Sequence, residues 1–405
     1  MAMPVSRTSQ QGIVAVVVTI AMLALLAMAG LALDSGHLLL NKSRLQETVD
    51  AAALAAAKVL DTTGSQALAT TAAQSVFDLN AANFPELKGI ISGANLAITY
   101  SNTLSPFVSP VPAGLSANYV RVVASNFKMW AGFISLVGLN SLTTAASAVA
   151  GPSAPISAQQ ACDVAPIMVC GDPTKPPPQN YGFDGTVVTV LKLGNWTKGT
   201  QPLPGDFQLI QVGGPGGNDV RLAAAGANNS CLTGNTVSLT TKPGNTIGPT
   251  DQGFGCLFDN CGGPLSQATY PPDVLWKAPA HASNNLTLAS AGTSVSNIYN
   301  YSKYMTDSGN PSSYDTAQPP GVVSRRVVAV PIANCTGGGQ GQTTFPVMEM
   351  GCFFLLQDPN GKGGSNYLYG QYVNACVASG SPGATSGGIG AYKIVLHKDA
   401  SSGDS

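Results

Sequence analysis

The longest hydrophobic pattern in the chain is a single apolar run near its start. Ile13 to Leu33 is 21 consecutive residues without a charge. A helix of this length, at about 1.5 Å per residue, crosses roughly the 30 Å hydrocarbon core of a bilayer. We therefore predict a transmembrane helix at residues 13–33, preceded by a cytoplasmic stub at residues 1–12.

A cleaved signal peptide is the alternative interpretation of this run. Signal peptides have apolar cores of about 7–15 residues that end at a cleavage site of small residues. The segment 27–36 contains such small residues, but the apolar run is longer than a signal core. Its length favours a retained anchor.

The orientation of the predicted anchor rests on the cysteines more than on flanking charge. Basic residues stand on both sides of the run, with Arg7 before it and Lys42 and Arg44 after it. All eight cysteines lie far beyond the run, and disulfides form outside the cytoplasm. The pattern predicts a single-pass membrane protein with a cytoplasmic amino terminus and an extracytoplasmic body.

Helical periodicity continues beyond the membrane span. Apolar residues recur at helical spacing along one stripe: Leu38, Leu45, Val49, Ala52, Ala56 and Val59. The alanines let another element approach closely, and residues 61–64 end the pattern. The stripe fits the next domain of the same chain as well as it fits a second chain. A homo- or hetero-oligomer through the N-terminal helix is therefore an expectation beside intramolecular packing.

Residues 34–150 have the pattern of a compact α+β domain. The predicted elements are a helix at 65–88 that Pro85 ends, strands at 95–101 and 118–125, a short aromatic helix at 129–138 and a strand at 141–150. The aromatic residues Phe127, Trp130 and Phe133 are predicted to lie in its core.

A β-rich domain at 161–405 is predicted beyond a linker at 151–160. The linker has a high content of Gly, Pro, Ser and Ala, and the domain alternates Gly- and Pro-rich turns with short β-prone runs. Those runs are 186–193, 207–212, 322–332, 352–356 and 392–397. The predicted fold class is thus α+β, with one transmembrane helix extended into the membrane-proximal domain and a disulfide-stapled β-rich domain after it.

The cysteines all lie in this second domain. They are Cys162, Cys170, Cys231, Cys256, Cys261, Cys335, Cys352 and Cys376. An even number in an extracytoplasmic domain predicts disulfides, whereas a metal site is disfavoured because the chain has no Cys-x-x-Cys and its three histidines are far apart. The close pairs Cys162/Cys170 and Cys256/Cys261 are natural local bridges, but the spacing leaves the connectivity open.

Composition and charge exclude a nucleic-acid partner. The chain has 19 Lys and Arg against 20 Asp and Glu, a net charge of −1, and its basic residues do not cluster beyond Arg325-Arg326. Neutralising phosphates needs a basic patch. The 46 glycines and 28 prolines instead indicate loops and short strands, a composition typical of cell-envelope proteins.

No catalytic, cofactor or metal motif stands out. There is no Gly-x-Ser-x-Gly, and Glu349 is the only glutamate beyond residue 150. The glycine-rich segment 213–217 lacks the Lys-Ser/Thr ending of a phosphate loop, and 358–363 lacks the ligands of a calcium loop. We therefore predict a protein that is not an enzyme and has no cofactor and no metal.

Residues 10–60 resemble the amino-terminal segment of the TadE/TadG-like proteins of Flp (Tad) pilus assembly. The shared positions are Gly12 before the span, Gly30 and Asp34 at its end, Leu45 and Gln46, and Asp50 before an alanine run. Looser similarity to TadG-like chains follows at 119–150, 239–249 and 325–332. The resemblance implies a non-catalytic component anchored in the bacterial inner membrane, whose partners are the membrane and other pilus or envelope assembly proteins.

The chain departs from two subtypes among the proteins that it resembles. Prepilins carry a Glu five residues after the cleavage glycine, whereas Val17 stands there in this chain, so polymerisation as a major pilin is not expected. Some TadG proteins contain a von Willebrand A domain, but Gly309 replaces the first serine of its metal motif. The alternative function is a surface-exposed or secreted adhesin, with a binding face formed by Tyr181, Trp196, Tyr299, Tyr301 and Tyr304.

Overall fold

The computed structural model describes residues 11–84, 96–130, 133, 141–192, 206–226, 238–277, 281, 284–337, 341–359, 367–382 and 390–399. Its helices are α1 (Gln11–Thr63), α2 (Gln66–Ala81), α3 (Gly217–Ala224), α4 (Ile247–Gly255) and α5 (Tyr301–Ser308). Its strands are β1 (Leu96–Ser101), β2 (Tyr119–Trp130), β3 (Ser141–Pro152), β4 (Ile156–Cys162), β5 (Val169–Cys170), β6 (Thr189–Lys192), β7 (Asp206–Ile210), β8 (Ser238–Pro243), β9 (Val327–Ala333), β10 (Thr344–Leu355), β11 (Leu368–Val373), β12 (Ala375–Val377), β13 (Ser379–Pro382), β14 (Gly390–Tyr392) and β15 (Ile394–His397). The predicted fold class is confirmed: a long apolar helix, mixed helices and sheets, and disulfides in the β-rich region.

Helix α1 runs without a break for 53 residues through the predicted span and the amphipathic stripe. It ends where Gly64 adopts a φ of +65°, a conformation that costs glycine little. Ser65 then caps α2 by accepting a hydrogen bond from the backbone N–H of Leu68. Helix α2 ends at Ala81, earlier than predicted, and Pro85 lies outside the described residues.

The proximal sheet has the strand order β1-β2-β3-β15. Residues 394–397, which the sequence places in the distal domain, pair antiparallel with 149–152 at the end of β3. Asp399 stabilises this pairing of β15 with β3, because its carboxylate accepts hydrogen bonds from Arg121 at 2.9 Å and Ser147 at 2.8 Å. The carboxy-terminal part of the chain is thereby joined to the membrane-proximal sheet.

The prediction of a short aromatic helix at 129–138 is wrong for its first two residues. Met129 and Trp130 belong to β2, because the ladder with β3 continues to the pair Trp130 and Ser141. Of the remaining predicted helix, Phe133 alone lies within the described residues. Part of the predicted linker at 151–160 also forms a strand, because β4 starts at Ile156 and pairs with β13.

One face of α1 and α2 covers the proximal sheet. Leu45, Val49 and Ala52 of α1 are fully buried, as are Val120 and Val122 of β2. Small side chains along α1 allow the helix to lie close to the sheet. Aromatic side chains fill the remaining volume of this core. Phe77 and Phe127 supply it, with ring centroids 6.1 Å apart.

The distal part is built around a sheet with the order β5-β9-β10-β11-β6, to which β7 and β8 attach through β10. Strand β10 is buried on both faces near its end. Phe353 and Phe354 point in opposite directions, as neighbouring strand residues must, and each lies in a separate apolar core. This explains why the segment is a continuous apolar run rather than an alternating one.

Three disulfides lie within the described residues: Cys170–Cys335, Cys256–Cys261 and Cys352–Cys376. The local pair Cys256/Cys261 is thus present, but the expected bridge between Cys162 and Cys170 is wrong. Parallel pairing of β5 with β9 sets Cys170 opposite Ala333. As a result, the Cα atoms of Cys170 and Cys335 are 5.5 Å apart. Cys162 is also disulfide-bonded, and Cys231 lies outside the described residues.

Candidate functional site: the anchor helix and its junction

The first turns of α1 form a bare apolar cylinder. Every described side chain from Val14 to Leu33 is exposed, with Gly30 the one buried position. The helix is long and apolar enough to cross a membrane. On a protein in water such a surface would be an aggregation site, so it needs lipid or other apolar helices around it.

Two motif positions at the end of the predicted span, Gly30 and Asp34, contact Phe133. A methyl group placed on Gly30 would lie 2.7 Å from the Cβ atom of Phe133, so a larger residue there needs Phe133 to move. One turn later, the Asp34 carboxylate accepts a hydrogen bond from the backbone N–H of Phe133 at 3.1 Å. Phe133 is 54% exposed, which corrects the expectation that it lies in the domain core.

The later motif positions join α1 to the proximal sheet. Leu45 is fully buried under the sheet. The Gln46 amide donates hydrogen bonds at 2.8 Å to the Ser147 carbonyl in β3 and to the Asp50 carboxylate. Burial raises the pKa of Asp50, and the bond from Gln46 opposes this rise. Gly12 is the second residue of α1.

The far end of α1 is held by the distal part of the chain. The hydroxyl group of Tyr392 donates a hydrogen bond to the Asp61 carboxylate. Burial raises the pKa of Asp61 to about 6, and it also raises the pKa of Tyr392. From α5, the Ser308 hydroxyl donates to the carbonyl of Thr62 at 3.3 Å.

A cleft of about 640 Å³ opens beside Asp61, between α1, the proximal sheet and the distal sheet. Its lining includes Tyr119, Tyr301, Gln371 and Tyr392. Gln371 is itself engaged, since it accepts from the Tyr301 N–H at 2.8 Å and donates to the Gly185 carbonyl at 2.7 Å. The lining is therefore suited to hydrogen bonding.

The distal domain contains a buried arginine that the sequence did not mark as special. The Arg326 guanidinium donates to the carbonyls of Leu355 at 2.7 Å, Leu275 at 2.8 Å and His281. It also lies 4.6 Å from the ring centre of Phe354. Its side chain is fully buried, so this cluster supports the fold and is closed to a substrate. A basic doublet within the apolar run 322–332, directly before β9, was the available signal.

Asp273 is the buried counter-charge of Arg326. Its carboxylate accepts a hydrogen bond from the backbone N–H of Arg326 at 3.0 Å and from the Tyr304 hydroxyl at 2.9 Å. Burial raises the pKa of Asp273, and the nearby guanidinium opposes that rise. Both charged groups are therefore hydrogen-bonded inside the core, and each lies in the field of the opposite charge.

A second buried basic residue lies at the other side of the distal sheet. Lys192 donates a hydrogen bond to the Asn245 side chain at 2.6 Å. Burial lowers the pKa of Lys192 to about 8 and raises the pKa of Asp251 to about 7, and each charge opposes the shift of the other. Sequence reasoning missed this pair, because the two residues come together through tertiary structure.

None of the four described tyrosines of the expected binding face, Tyr181, Tyr299, Tyr301 and Tyr304, is exposed. Tyr304 is fully buried, and Tyr299 and Tyr301 are partly buried against the core. Tyr301 and Tyr304 pack on Phe354, with ring centroids 5.7 and 4.8 Å from it. Trp196 lies outside the described residues. Tertiary packing has therefore turned most of these tyrosines inward.

Asp307, where the metal motif that Gly309 interrupts would begin, lies in the last turn of α5. Its carboxylate accepts a hydrogen bond from the Tyr299 hydroxyl at 3.0 Å. Within the described ranges, no group of three or more His, Cys, Asp or Glu residues could hold a metal ion.

These features define a disulfide-bonded α+β protein whose long first helix could span a membrane. The family model described as putative Flp pilus-assembly TadE/G-like matches residues 12–79, which are α1 and nearly all of α2. The predicted resemblance is confirmed over this segment, and the match supports a role in pilus assembly. Neither the curated proteins nor the solved structures contain a match to the chain.

Proposed function

We propose that the protein is a non-catalytic, TadG-like component of Tad/Flp-type pilus assembly that acts through structural packing. The observation that carries the proposal is the continuity of α1. One helix presents an exposed apolar surface from Val14 to Leu33 and then becomes the buried spine of the proximal domain. A rigid connection of this kind suits a protein that presents folded domains at a fixed place relative to a bilayer.

The proposed orientation has residues 1–12 in the cytoplasm and the body outside it. The three described disulfides support this orientation, because such bonds persist in oxidising compartments. In a bacterium with an outer membrane, the protein would be anchored in the inner membrane. The partners in this proposal are pilins or other envelope assembly proteins, contacted by the outer domains or by α1 within the bilayer.

Charge substitution in the apolar cylinder tests the proposal. An arginine at the centre of a spanning helix costs about 2.5–3.5 kcal/mol on insertion scales. We expect Leu26→Arg to release the protein from membranes during alkaline carbonate extraction and to abolish piliation in cells that depend on this protein. Leu79→Arg is the matched control, since Leu79 is similarly exposed but lies on α2, outside the cylinder.

Two results would count against the proposal. Retention of Leu26→Arg in the membrane pellet would show that another element anchors the chain. Normal pili in cells that lack the protein would remove the assembly role, even with the anchor intact.

A further inference from the structure

Lys192 and Asn245 face each other inside the distal domain. Lys192 is the last residue of β6 and is only 1% exposed. Asn245 follows β8 by two residues and stands directly before Thr246, the N-cap of α4. The Nζ atom of Lys192 is 2.6 Å from the Oδ1 atom of Asn245. A long basic side chain is thus held out of water against a neutral amide.

The short hydrogen bond places a nucleophilic atom beside an electrophilic one. A C=O bond is about 1.23 Å long, so the Nζ atom of Lys192 lies no more than about 3.8 Å from the Cγ atom of Asn245. Atoms that are placed to react lie about 3–3.5 Å apart. A small rotation of the lysine terminus is therefore enough to bring its amine onto the amide carbon.

The surroundings of Lys192 favour the uncharged amine that such an attack needs. Burial lowers the pKa of Lys192 to about 8, so roughly a tenth of this side chain is uncharged at pH 7. A lysine amine that has lost its proton in a desolvated site is a nucleophile. Burial also makes the charged form of Lys192 costly, and a reaction that removes the charge removes this cost.

Asp251 supplies a carboxyl group on the helix that follows Asn245. It lies on α4 and is 8% exposed. Burial raises the pKa of Asp251 to about 7; the charge of Lys192 opposes this rise, and that of Asp358 adds to it. A carboxyl group that titrates near neutral pH can both donate and accept a proton during a reaction.

We propose that Lys192 and Asn245 become joined by an intramolecular isopeptide bond, with Asp251 as the proton carrier. The lone pair of the lysine Nζ attacks the Cγ atom of Asn245 and forms a tetrahedral intermediate. The bond from Cγ to Nδ2 then breaks, one proton passes from Nζ to Nδ2 through the Asp251 carboxyl group, and ammonia leaves. The Nζ–Cγ bond replaces the Cγ–Nδ2 bond, so the reaction needs neither an oxidant nor a cofactor.

The bond fastens the last strand of the distal sheet. Strand β6 ends the order β5-β9-β10-β11-β6 and pairs with β11 through three residue pairs. Asn245 follows β8, which pairs with β10. The link joins residues 53 positions apart and, unlike the disulfides, survives reduction. The proposal is independent of the membrane function, and one reaction within the chain is compatible with a protein that turns over no substrate.

The intact mass of the full-length protein tests the proposal after complete reduction and denaturation. We expect a mass lower by one ammonia than that of the linear chain. A digest should contain a branched peptide that joins Lys192 to Asn245, and trypsin should not cleave after Lys192. A mass equal to that of the linear chain overturns the proposal. An ammonia loss confined to a linear peptide with Asn245 also overturns it, because an asparagine that closes to a succinimide loses ammonia too.

Substitution of either partner should abolish the ammonia loss. Lys192→Met and Asn245→Ala should each have the mass of their linear chain. Lys175→Met is the matched control, because the Lys175 side chain is 55% exposed, and it should keep the loss. Persistence of the loss in Lys192→Met would refute the bond. If neither Lys192→Met nor Asn245→Ala folds, the branched peptide of the unsubstituted protein still decides the question.

Asp251→Asn separates proton transfer from packing, because it keeps the shape of the side chain and removes its titrating carboxyl group. We expect a protein that still melts cooperatively, in which the linked fraction at a fixed time after purification falls at least about tenfold. Asp251→Glu restores a carboxyl group and should recover part of the linked fraction. A complete bond in folded Asp251→Asn, or no recovery in folded Asp251→Glu, would refute the role of Asp251.

Discussion

Asp61, in the last turn of α1, accepts a hydrogen bond from the hydroxyl group of Tyr392, 331 residues further along the chain. The first residue belongs to the long first helix, and the second to β14 of the distal part. Burial raises the pKa of Asp61 to about 6, and the bond from Tyr392 acts in the opposite direction. The junction between the two parts of the chain therefore contains a carboxyl group that titrates in a mildly acidic range.

We expect Asp61→Asn to remove a pH dependence from the stability of the protein. The folded state raises the pKa of Asp61 from 3.8 to about 6, so it binds the proton more tightly than the unfolded chain does. The resulting stabilisation is fully present below about pH 4 and is lost as the pH rises through about 6, by up to about 1.4 kcal/mol per pH unit. Melting temperatures of both proteins across this window measure the difference.

Tyr392→Phe is the companion variant for this prediction. It removes the hydrogen bond that lowers the pKa of Asp61 while keeping the ring. The pH window of the stability loss should therefore move upward. Parallel stability curves for the unmodified protein and Asp61→Asn would show that Asp61 does not titrate in this range.

The contact between Gln46 and β3 should contribute measurably to the proximal domain. Gln46→Met keeps the length of the side chain but removes the amide that donates to the Ser147 carbonyl. We expect a loss of about 1–3 kcal/mol, because the carbonyl loses its side-chain donor at a partly buried position. Chemical denaturation in detergent micelles measures this loss. Glu47→Met, at the next and exposed position of α1, should change stability by less than about 0.5 kcal/mol.

Local pattern was enough to predict the long apolar helix and several proximal elements. The apolar run needs no tertiary partner to be recognised, and α1 continues to Thr63 much as the spacing of Leu45, Val49 and Ala52 indicates. The motif positions Gly30 and Gln46 came from resemblance, but their contacts with Phe133 and Ser147 did not. Those contacts bring together residues about a hundred positions apart. Local periodicity cannot predict such pairs, because it depends only on residues close in sequence.

The errors have the same origin. The pairing of Cys170 with Cys335 depends on the register of β5 on β9, and the return of β15 to β3 depends on how the whole distal part folds back. Aromatic spacing around Phe133 looked helical because short apolar runs fit helices and strands alike. Tyr304 looked exposed because its sequence neighbours are polar, whereas tertiary packing decided its burial.

Arg326 should be among the most sensitive positions of the distal domain. Arg326→Met removes a guanidinium that donates to the buried carbonyls of Leu355 and Leu275, and it leaves the buried Asp273 without its counter-charge. Each buried acceptor left without its donor costs about 1–3 kcal/mol, and a buried charge left uncompensated costs more. We expect a large drop in melting temperature and in the yield of folded protein.

The adjacent residue supplies the comparison for Arg326. Arg325 is less deeply placed and donates to the carbonyls of Pro271 and Ala225. Arg325→Met should therefore cost less than Arg326→Met. Equal losses of stability from the two substitutions would mean that the deeper burial of Arg326 does not add to its contribution to stability.

The disulfides should differ in their contribution according to the length of chain that each one closes. Cys170–Cys335 joins residues 165 positions apart, whereas Cys256–Cys261 joins residues five apart. On the chain-entropy account, removing the first costs about 5 kcal/mol and removing the second about 2 kcal/mol. We expect Cys170→Ala/Cys335→Ala to lower the unfolding midpoint further than Cys256→Ala/Cys261→Ala, as measured by denaturation of the oxidised proteins. A larger effect from the short bridge would show that residual structure in the unfolded chain, not loop closure, governs the stability of this domain.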